Sequence, residues 1–276
     1  LPISQSLVSS LRYFVNDNWI DGEAYEQYVG RWSRLVAAEF LPRLALPPGG
    51  SWLDVCSGSG ALRSARLALA APRAVKGVDR SAAYVALATE RVADGRVQFV
   101  AGDAQQLPVE TGAYDAVVSG LMLNFVPTPA LAVAEMARAA RPGGVVAVYL
   151  WDYAERMQFM RHFWNAAAAL DPAAAALDEG RRFPLCRPDA LQQLFTAAGL
   201  TGVAVWPIDV WTVFADFDDF WSPFLGGQGP APGYVAGLDE TRQAALRERL
   251  RAALPVALDG TIPMVARAWA ARGTPV

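Results

Sequence analysis

WLDVCSGSGAL, residues 52–62, decides the fold: a short apolar run carries Asp54 and passes directly into a glycine-rich turn. Gly58 and Gly60 lack the side chains that would keep a ligand away from the backbone, and glycine adopts positive φ at little steric cost. A helix that begins after such a turn points unpaired N–H groups and its positive dipole end at the ligand. The stretch therefore predicts a strand, a ligand-binding turn and a helix.

Four more apolar runs follow this strand, and helical patterns separate them. These runs lie at 74–79, 97–101, 114–119 and 145–151. They are nearly continuous in apolar residues, which is typical of strands buried on both faces. Alternation of strands with helices predicts an α/β fold with a doubly wound, mostly parallel, seven-stranded sheet of the Rossmann-like kind. Helices are expected on both faces, and the C-terminal third is predicted to contain a substrate-shaping insertion.

The pattern predicts one domain over residues 1–276. Its segments are an N-terminal helix or lid at 22–46, a ligand-binding core at 50–152, a substrate-shaping region at 153–261 and a last strand at 262–272. A helical pattern begins at about residue 154. Asp152 is therefore interpreted as the cap of that helix.

Composition excludes several classes of partner. Hydrophobic residues make up 53% of the chain and the net charge is −3, with a single lysine, Lys76. Nucleic acid is disfavoured because phosphate binding needs clustered cations. No apolar run reaches the about 18 residues that a membrane span needs, and no signal peptide is evident, so a cytoplasmic protein is expected. Cys56 and Cys186 form no disulfide framework, and no metal site is expected.

Three of the predicted strands end in acidic residues, Asp54, Asp79 and Asp103 in chain order. Ligands of open α/β sheets bind outside the carboxyl ends of the strands, and an acid after the second strand suits the two hydroxyls of a ribose. A dinucleotide is the rival ligand, but its fingerprint requires a third glycine where this chain has Arg63. The motif Gly-Lys-Ser/Thr of a phosphate-binding loop is also missing from this turn.

These motifs resemble those of the class I S-adenosylmethionine (SAM)-dependent methyltransferases, in the group around the ubiquinone and menaquinone biosynthesis enzymes. The glycine-rich turn resembles the family's first motif, with Cys56 where the family has its first glycine. GDAQQLP at 102–108 and the segment at 114–144 resemble the family's later motifs. The resemblance covers about residues 25–152, and four motifs agree in order.

The resemblance implies that SAM is the cofactor, with S-adenosylhomocysteine as product. It places Asp79 at the ribose, Asp103 at the adenine amino group and Ser119 at the methionine moiety. The full predicted cofactor set is Tyr28, Asp54, Cys56, Ser57, Gly58, Gly60, Asp79, Arg80, Asp103, Ala104 and Ser119. The implied reaction is methyl transfer to a small acceptor, aromatic or lipophilic. The alternatives are a SAM-binding module without catalysis and an NAD(P)-dependent oxidoreductase.

The predicted acceptor side is less defined. His162, the one histidine, is the candidate general base, and the alternative is transfer by proximity alone, without a general base. Aromatic residues between 206 and 224 are predicted to line an apolar acceptor pocket. No oligomeric state follows from the sequence.

Overall fold

The structure, a computed structural model, describes residues 26–56, 71–92, 94–226 and 229–276. Its seven strands form one sheet in the order β3-β2-β1-β4-β5-β7-β6. They are β1 Ser51–Val55, β2 Ala74–Asp79, β3 Val97–Ala101, β4 Tyr114–Gly120, β5 Ala140–Trp151, β6 Thr201–Phe214 and β7 Ile262–Thr274. The pairs among β1 to β5 are parallel, and β7 runs antiparallel to β5. The predicted fold class is confirmed.

Helices separate the strands. Those described are α1 Arg31–Arg43, α2 Ala82–Arg91, α3 Pro129–Ala139, α4 Gln158–Leu170, α5 Glu179–Arg182, α6 Pro188–Ala197, α7 Phe217–Trp221, α8 Pro230–Ala236 and α9 Glu240–Ala253. A π-helical turn, Glu26–Gly30, precedes α1. α6 stops before Gly199, whose positive φ of 77° ends a helix at no steric cost.

The chain divides into two compact units. The sheet unit comprises Trp32–Asp152, Pro184–Val210 and Arg267–Val276. The aromatic unit comprises Leu1–Arg31, Tyr153–Phe183 and Trp211–Ala266. The prediction of one domain over the whole chain, with a substrate-shaping region at 153–261, stays a prediction.

The start of α4 corrects one interpretation. Four turn residues, 153–156, follow Asp152. Helix α4 begins only at Gln158, with Met157 at its N-cap. Asp152 therefore does not cap α4. It is 2% exposed, and its backbone N–H donates to the carbonyl of Arg267 over 2.9 Å, one residue beyond the last pair of the β5–β7 ladder. Sequence periodicity missed this because the residues of a turn can share apolar spacing with a helix.

Candidate active site

The carboxyl ends of β1, β2 and β4 lie side by side in the sheet unit. Asp54 of β1 is in register with Gly77 of β2 on one side and with Val118 of β4 on the other. The strand order reverses between β1 and β4, and this is the position where doubly wound sheets open a ligand crevice. Asp54 and Ser119 are each 2% exposed, so both side chains belong to the protein interior at this edge.

Asp79 ends β2 and is held by the loop that follows it. Its Oδ1 accepts from the backbone N–H of Ser81 over 2.9 Å, and its carbonyl accepts from the N–H of Gly102 over 3.0 Å. The side chain is 9% exposed. These bonds fix the orientation of a carboxylate at the end of β2.

Asp103 follows β3 and is exposed. It accepts from the backbone N–H and the side-chain amide of Gln105, and these bonds lower the pKa of the carboxyl, with a smaller contribution from the charge of Arg80. Gln105 in turn accepts from the N–H of Thr128 over 3.0 Å. Asp103 is therefore an ionised acceptor, fixed in orientation and open to solvent.

The motif around Asp103 has a packing explanation. A Cβ at Gly102 would lie 2.6 Å from Cδ of Pro108, so this position requires glycine. Pro108 thus closes the loop over Gly102, and Ala104 in the same loop is 6% exposed. The GDAQQLP segment is a tight loop that presents Asp103 at its outer end.

Cys56 sits in the turn after β1 with a φ of 61°, in the left-handed region that glycine favours. Its N–H donates to the carbonyl of Val78 over 2.8 Å, which ties the turn to β2. Burial raises the pKa of the Cys56 thiol to about 12, with smaller contributions from the charges of Asp79, Asp54 and Asp103. The thiol stays protonated at neutral pH and cannot act as a nucleophile.

The backbone at Cys56 gives a stability prediction. Cys56→Val is expected to lower the free energy of unfolding by about 1–3 kcal/mol relative to Cys56→Gly, because a β-branched residue resists positive φ. Chemical denaturation of the two variants measures the difference. Cys186, which is buried and lacks a positive φ, is the matched control, and there the valine variant should be the more stable. The same rank order at both positions would contradict the left-handed turn.

A second left-handed residue follows β4. Leu121 has a φ of 61°, and its N–H donates to the carbonyl of Tyr149 over 2.8 Å. A Cβ at Gly120 would lie 2.5 Å from the phenolic oxygen of Tyr149, so that ring lies directly over the strand end. The two strands at the reversal point of the sheet, β1 and β4, are therefore each followed by a non-glycine residue with a positive φ. Backbone strain of this kind is concentrated at functional sites.

Tyr28 and His162 belong to the aromatic unit. The Tyr28 hydroxyl donates to Sδ of Met160 over 2.9 Å, and the ring is 3% exposed against Phe159 and Phe224. His162 lies on α4 and is half-buried, and burial lowers the pKa of its imidazole. A neutral imidazole at physiological pH is able to accept a proton.

The predicted pocket aromatics pack largely on one another. We call the set Tyr28, Phe159, Phe163, Phe214, Phe220 and Phe224 the aromatic cluster. Phe159 contacts four of these rings, and its centroid is 4.6 Å from that of Phe224. By contrast, Trp211 is 68% exposed. The acceptor pocket predicted for this region stays a prediction.

Three predicted cofactor residues, Ser57, Gly58 and Gly60, lie outside the described residues. Among the residues that are described, no group of His, Cys, Asp and Glu side chains is arranged to hold a metal ion. None of the described helices is long and apolar enough to cross a bilayer.

The residues present at this edge suit SAM. The ligand offers a ribose diol, an adenine amino group and a positively charged sulfonium, and the described strand ends offer the carboxylates of Asp54, Asp79 and Asp103. A carboxylate accepts hydrogen bonds from hydroxyl and amino groups and stabilises a nearby cation. A doubly wound sheet with this site defines an α/β fold built to bind a nucleoside-containing ligand.

Comparisons with known proteins agree with that class. A protein-family model described as "Methyltransferase domain" matches residues 53–148. The demethylmenaquinone methyltransferase of Roseiflexus castenholzii is 34% identical over 174 residues, covering 58% of this chain and 72% of that protein. The chain belongs to the class I SAM-dependent methyltransferases of the ubiquinone and menaquinone type. SAM is its cofactor and methyl transfer its activity.

Solved structures share the fold. Phosphoethanolamine N-methyltransferase 2 of Haemonchus contortus, solved with SAM, has a TM-score of 0.58 at 18% identity. The match covers 92% of this chain and 56% of that protein's chain. The [4+2]-cyclase SpnF has a TM-score of 0.54 at 22% identity, covering 96% and 88%. These likenesses show the fold alone, and the cyclase illustrates that one fold carries more than one reaction.

Proposed function

We propose that this enzyme transfers the methyl group of SAM to a small aromatic or lipophilic acceptor, and that the acids at the strand ends hold the cofactor. The observation that carries the placement is that Asp54, Asp79 and Asp103 lie at or just after the carboxyl ends of three neighbouring strands, β1, β2 and β3. The acceptor class is supported by the relatives, several of which are demethylmenaquinone methyltransferases.

In this proposal each strand end has a separate role. Asp79 accepts from the ribose hydroxyls, and Asp103, with Ala104 beside it, accepts from the adenine amino group. Ser119 and the Cys56 turn border the methionine part. Tyr28 and Arg80 remain proposed members of the set, although the hydroxyl of Tyr28 donates to Met160 in this structure.

Bound SAM supplies a methyl group that is already electrophilic at its sulfonium. The protein therefore has to orient the acceptor and remove one proton. A bond from an acceptor carbon or heteroatom to the methyl forms, the S–CH3 bond breaks, and the acceptor's proton leaves. Holding two reactants in line contributes several kcal/mol to lowering such a barrier, on the order of 7–11 in the best cases.

His162 is the candidate to receive the proton. Its lowered pKa keeps the imidazole neutral at physiological pH, which is the form that can accept a proton. If His162 acts in this way, kcat decreases as the pH drops below the pKa of the imidazole. His162→Gln then lowers kcat by about 100-fold or more. An unchanged kcat in that variant favours transfer by proximity alone.

The acceptor is set by residues beyond the matched core. The family match ends at residue 148, and the alignment with the Roseiflexus castenholzii relative covers 58% of this chain. This proposal places acceptor specificity in the C-terminal region, and the relatives' acceptor is a starting point for the assay.

The test is titration calorimetry with SAM followed by turnover with methyl-labelled SAM. The acceptor panel contains demethylmenaquinone in its quinol form, simple phenols and an aliphatic amine. We expect SAM to bind and the label to appear on an aromatic or lipophilic acceptor. Binding without label transfer to any acceptor would favour the non-catalytic module instead, and transfer only to the amine would contradict the acceptor class.

A further inference from the structure

The aromatic unit contains a buried carboxylic acid that the proposed reaction does not use. Glu179, the first residue of α5, is 3% exposed. Its Oε2 accepts a hydrogen bond from Nε1 of Trp164 on α4. The indole of Trp164 packs against the rings of Phe163 and Tyr234, with centroids 5.0 and 6.0 Å away. One oxygen of this carboxyl group therefore lies among aromatic rings, and Trp164 is its one side-chain donor among the residues that the structure describes.

The charged groups around Glu179 do not neutralise it. The negative charge of the neighbouring Asp178 opposes the ionisation of Glu179. The positive charge of Arg182, at the end of α5, favours this ionisation. From α4, the guanidinium of Arg161 is committed to both oxygens of Asp178, with 2.8 Å between Nη1 and Oδ2. In the described part of the chain, no basic side chain forms an ion pair with Glu179 itself.

Two tyrosines complete the surroundings. The charge of Glu179 raises the pKa of Tyr28, an effect smaller than that of the burial of this hydroxyl, and Tyr153 adds to it. Tyr28 therefore stays neutral wherever Glu179 titrates. α5 is also packed tightly on the loop after β5, because a Cβ at Gly180 would lie 2.8 Å from the carbonyl oxygen of Tyr153.

Burial raises the pKa of Glu179 to about 8. At neutral pH the group is therefore mostly a neutral acid, which is the form that an aromatic environment tolerates. When α5 moves away from Trp164 into water, the carboxyl regains its ordinary pKa near 4.5 and loses its proton. The packing of α5 is thus coupled to the binding of one proton by the Glu179 carboxyl.

We propose that Glu179 is a proton-operated lock of the aromatic unit: the neutral acid holds α5 against Trp164, and proton loss releases it. The packed state binds the proton more tightly than the released state. Raising the pH from about 4.5 to about 8 therefore increases the released fraction by up to about tenfold per pH unit, and above about 8 it levels off. This lock goes beyond the proposed methyl transfer and needs neither cofactor nor acceptor.

His162 on α4 is the other group that titrates nearby. Because its pKa is lowered in the packed state, raising the pH across its range strengthens packing, which is the opposite sign. A window from about pH 6.5 to about pH 8, above the ordinary pKa of histidine, isolates Glu179.

Hydrogen exchange of the full chain tests the lock. Exchange of peptides spanning 177–183 and 159–166 is compared across this window after correction for intrinsic rates. We expect exchange at 177–183 to quicken by about tenfold in the unmodified protein. Glu179→Gln keeps the acceptor for Trp164 without a charge and should be insensitive to pH. Glu248→Gln, which removes an exposed carboxyl of the same unit, should behave like the unmodified protein.

Three results overturn the proposal: exchange in the unmodified protein that does not change with pH, an equal rise in Glu179→Gln, or a loss of the rise in Glu248→Gln. If Glu179→Gln fails to fold, Trp164→Phe decides. The indole N–H favours the ionised acid, so removing it should move the levelling point to higher pH, and an unmoved point contradicts the lock.

Discussion

Asp79→Ala is expected to weaken SAM binding by about 1–3 kcal/mol, or about 5- to 150-fold in Kd. The reason is that the ribose hydroxyls would lose their charged acceptor at the end of β2. Titration calorimetry measures the change, and thermal unfolding shows whether the loss of the Ser81 contact has disturbed the loop.

Asp94→Ala is the matched control for this variant. Asp94 is also an aspartate of the sheet unit, but it lies before β3 begins, where it pairs with Arg96 over 2.7 Å. Its removal should leave SAM affinity unchanged. An unchanged Kd in Asp79→Ala, in a protein that still binds SAM and unfolds normally, would sink the placement of the ribose.

Phe159→Ala is expected to lower the free energy of unfolding by about 3–5 kcal/mol. Phe159 is fully buried and contacts four rings of the aromatic cluster, so its removal leaves a cavity that the neighbouring rings cannot fill. Chemical denaturation measures the loss from the midpoint at constant m-value.

Phe183→Ala removes a half-buried ring of the same unit and should lower the free energy of unfolding by no more than about 1.5 kcal/mol. Equal effects of the two substitutions would mean that the cluster is not the core of this unit. A small effect of both would favour a loosely packed aromatic region, as an open acceptor pocket requires.

The parallel strands could be predicted because their signal is local. Continuous apolar runs with acids at their ends specify both a buried strand and the edge where its ligand lies, and all five predicted runs are strands in the structure. The start of α4 could not be read in the same way, since the turn residues before Gln158 continue the apolar spacing of the helix.

The backbone strain at the site also could not be predicted from the sequence. Cys56 could be recognised as standing in a glycine position, but Leu121 carries no signal of its left-handed backbone. That conformation follows from the hydrogen bond to Tyr149 on the next strand, which is a contact of residues far apart in the chain. Such contacts override local preference.

The sequence by itself determined which segments form the parallel strands, the acids at their ends and, through the resemblance of these motifs to a known family, the class of ligand. Tertiary structure alone decided which polar groups are buried. The segment DEGRR at 178–182 has the composition of a solvated surface, yet Glu179 is enclosed beside Trp164, and Phe159 meets Phe224 across more than sixty residues of chain. Strand patterns depend on neighbours in sequence, whereas the environment of a side chain depends on residues that only folding brings together.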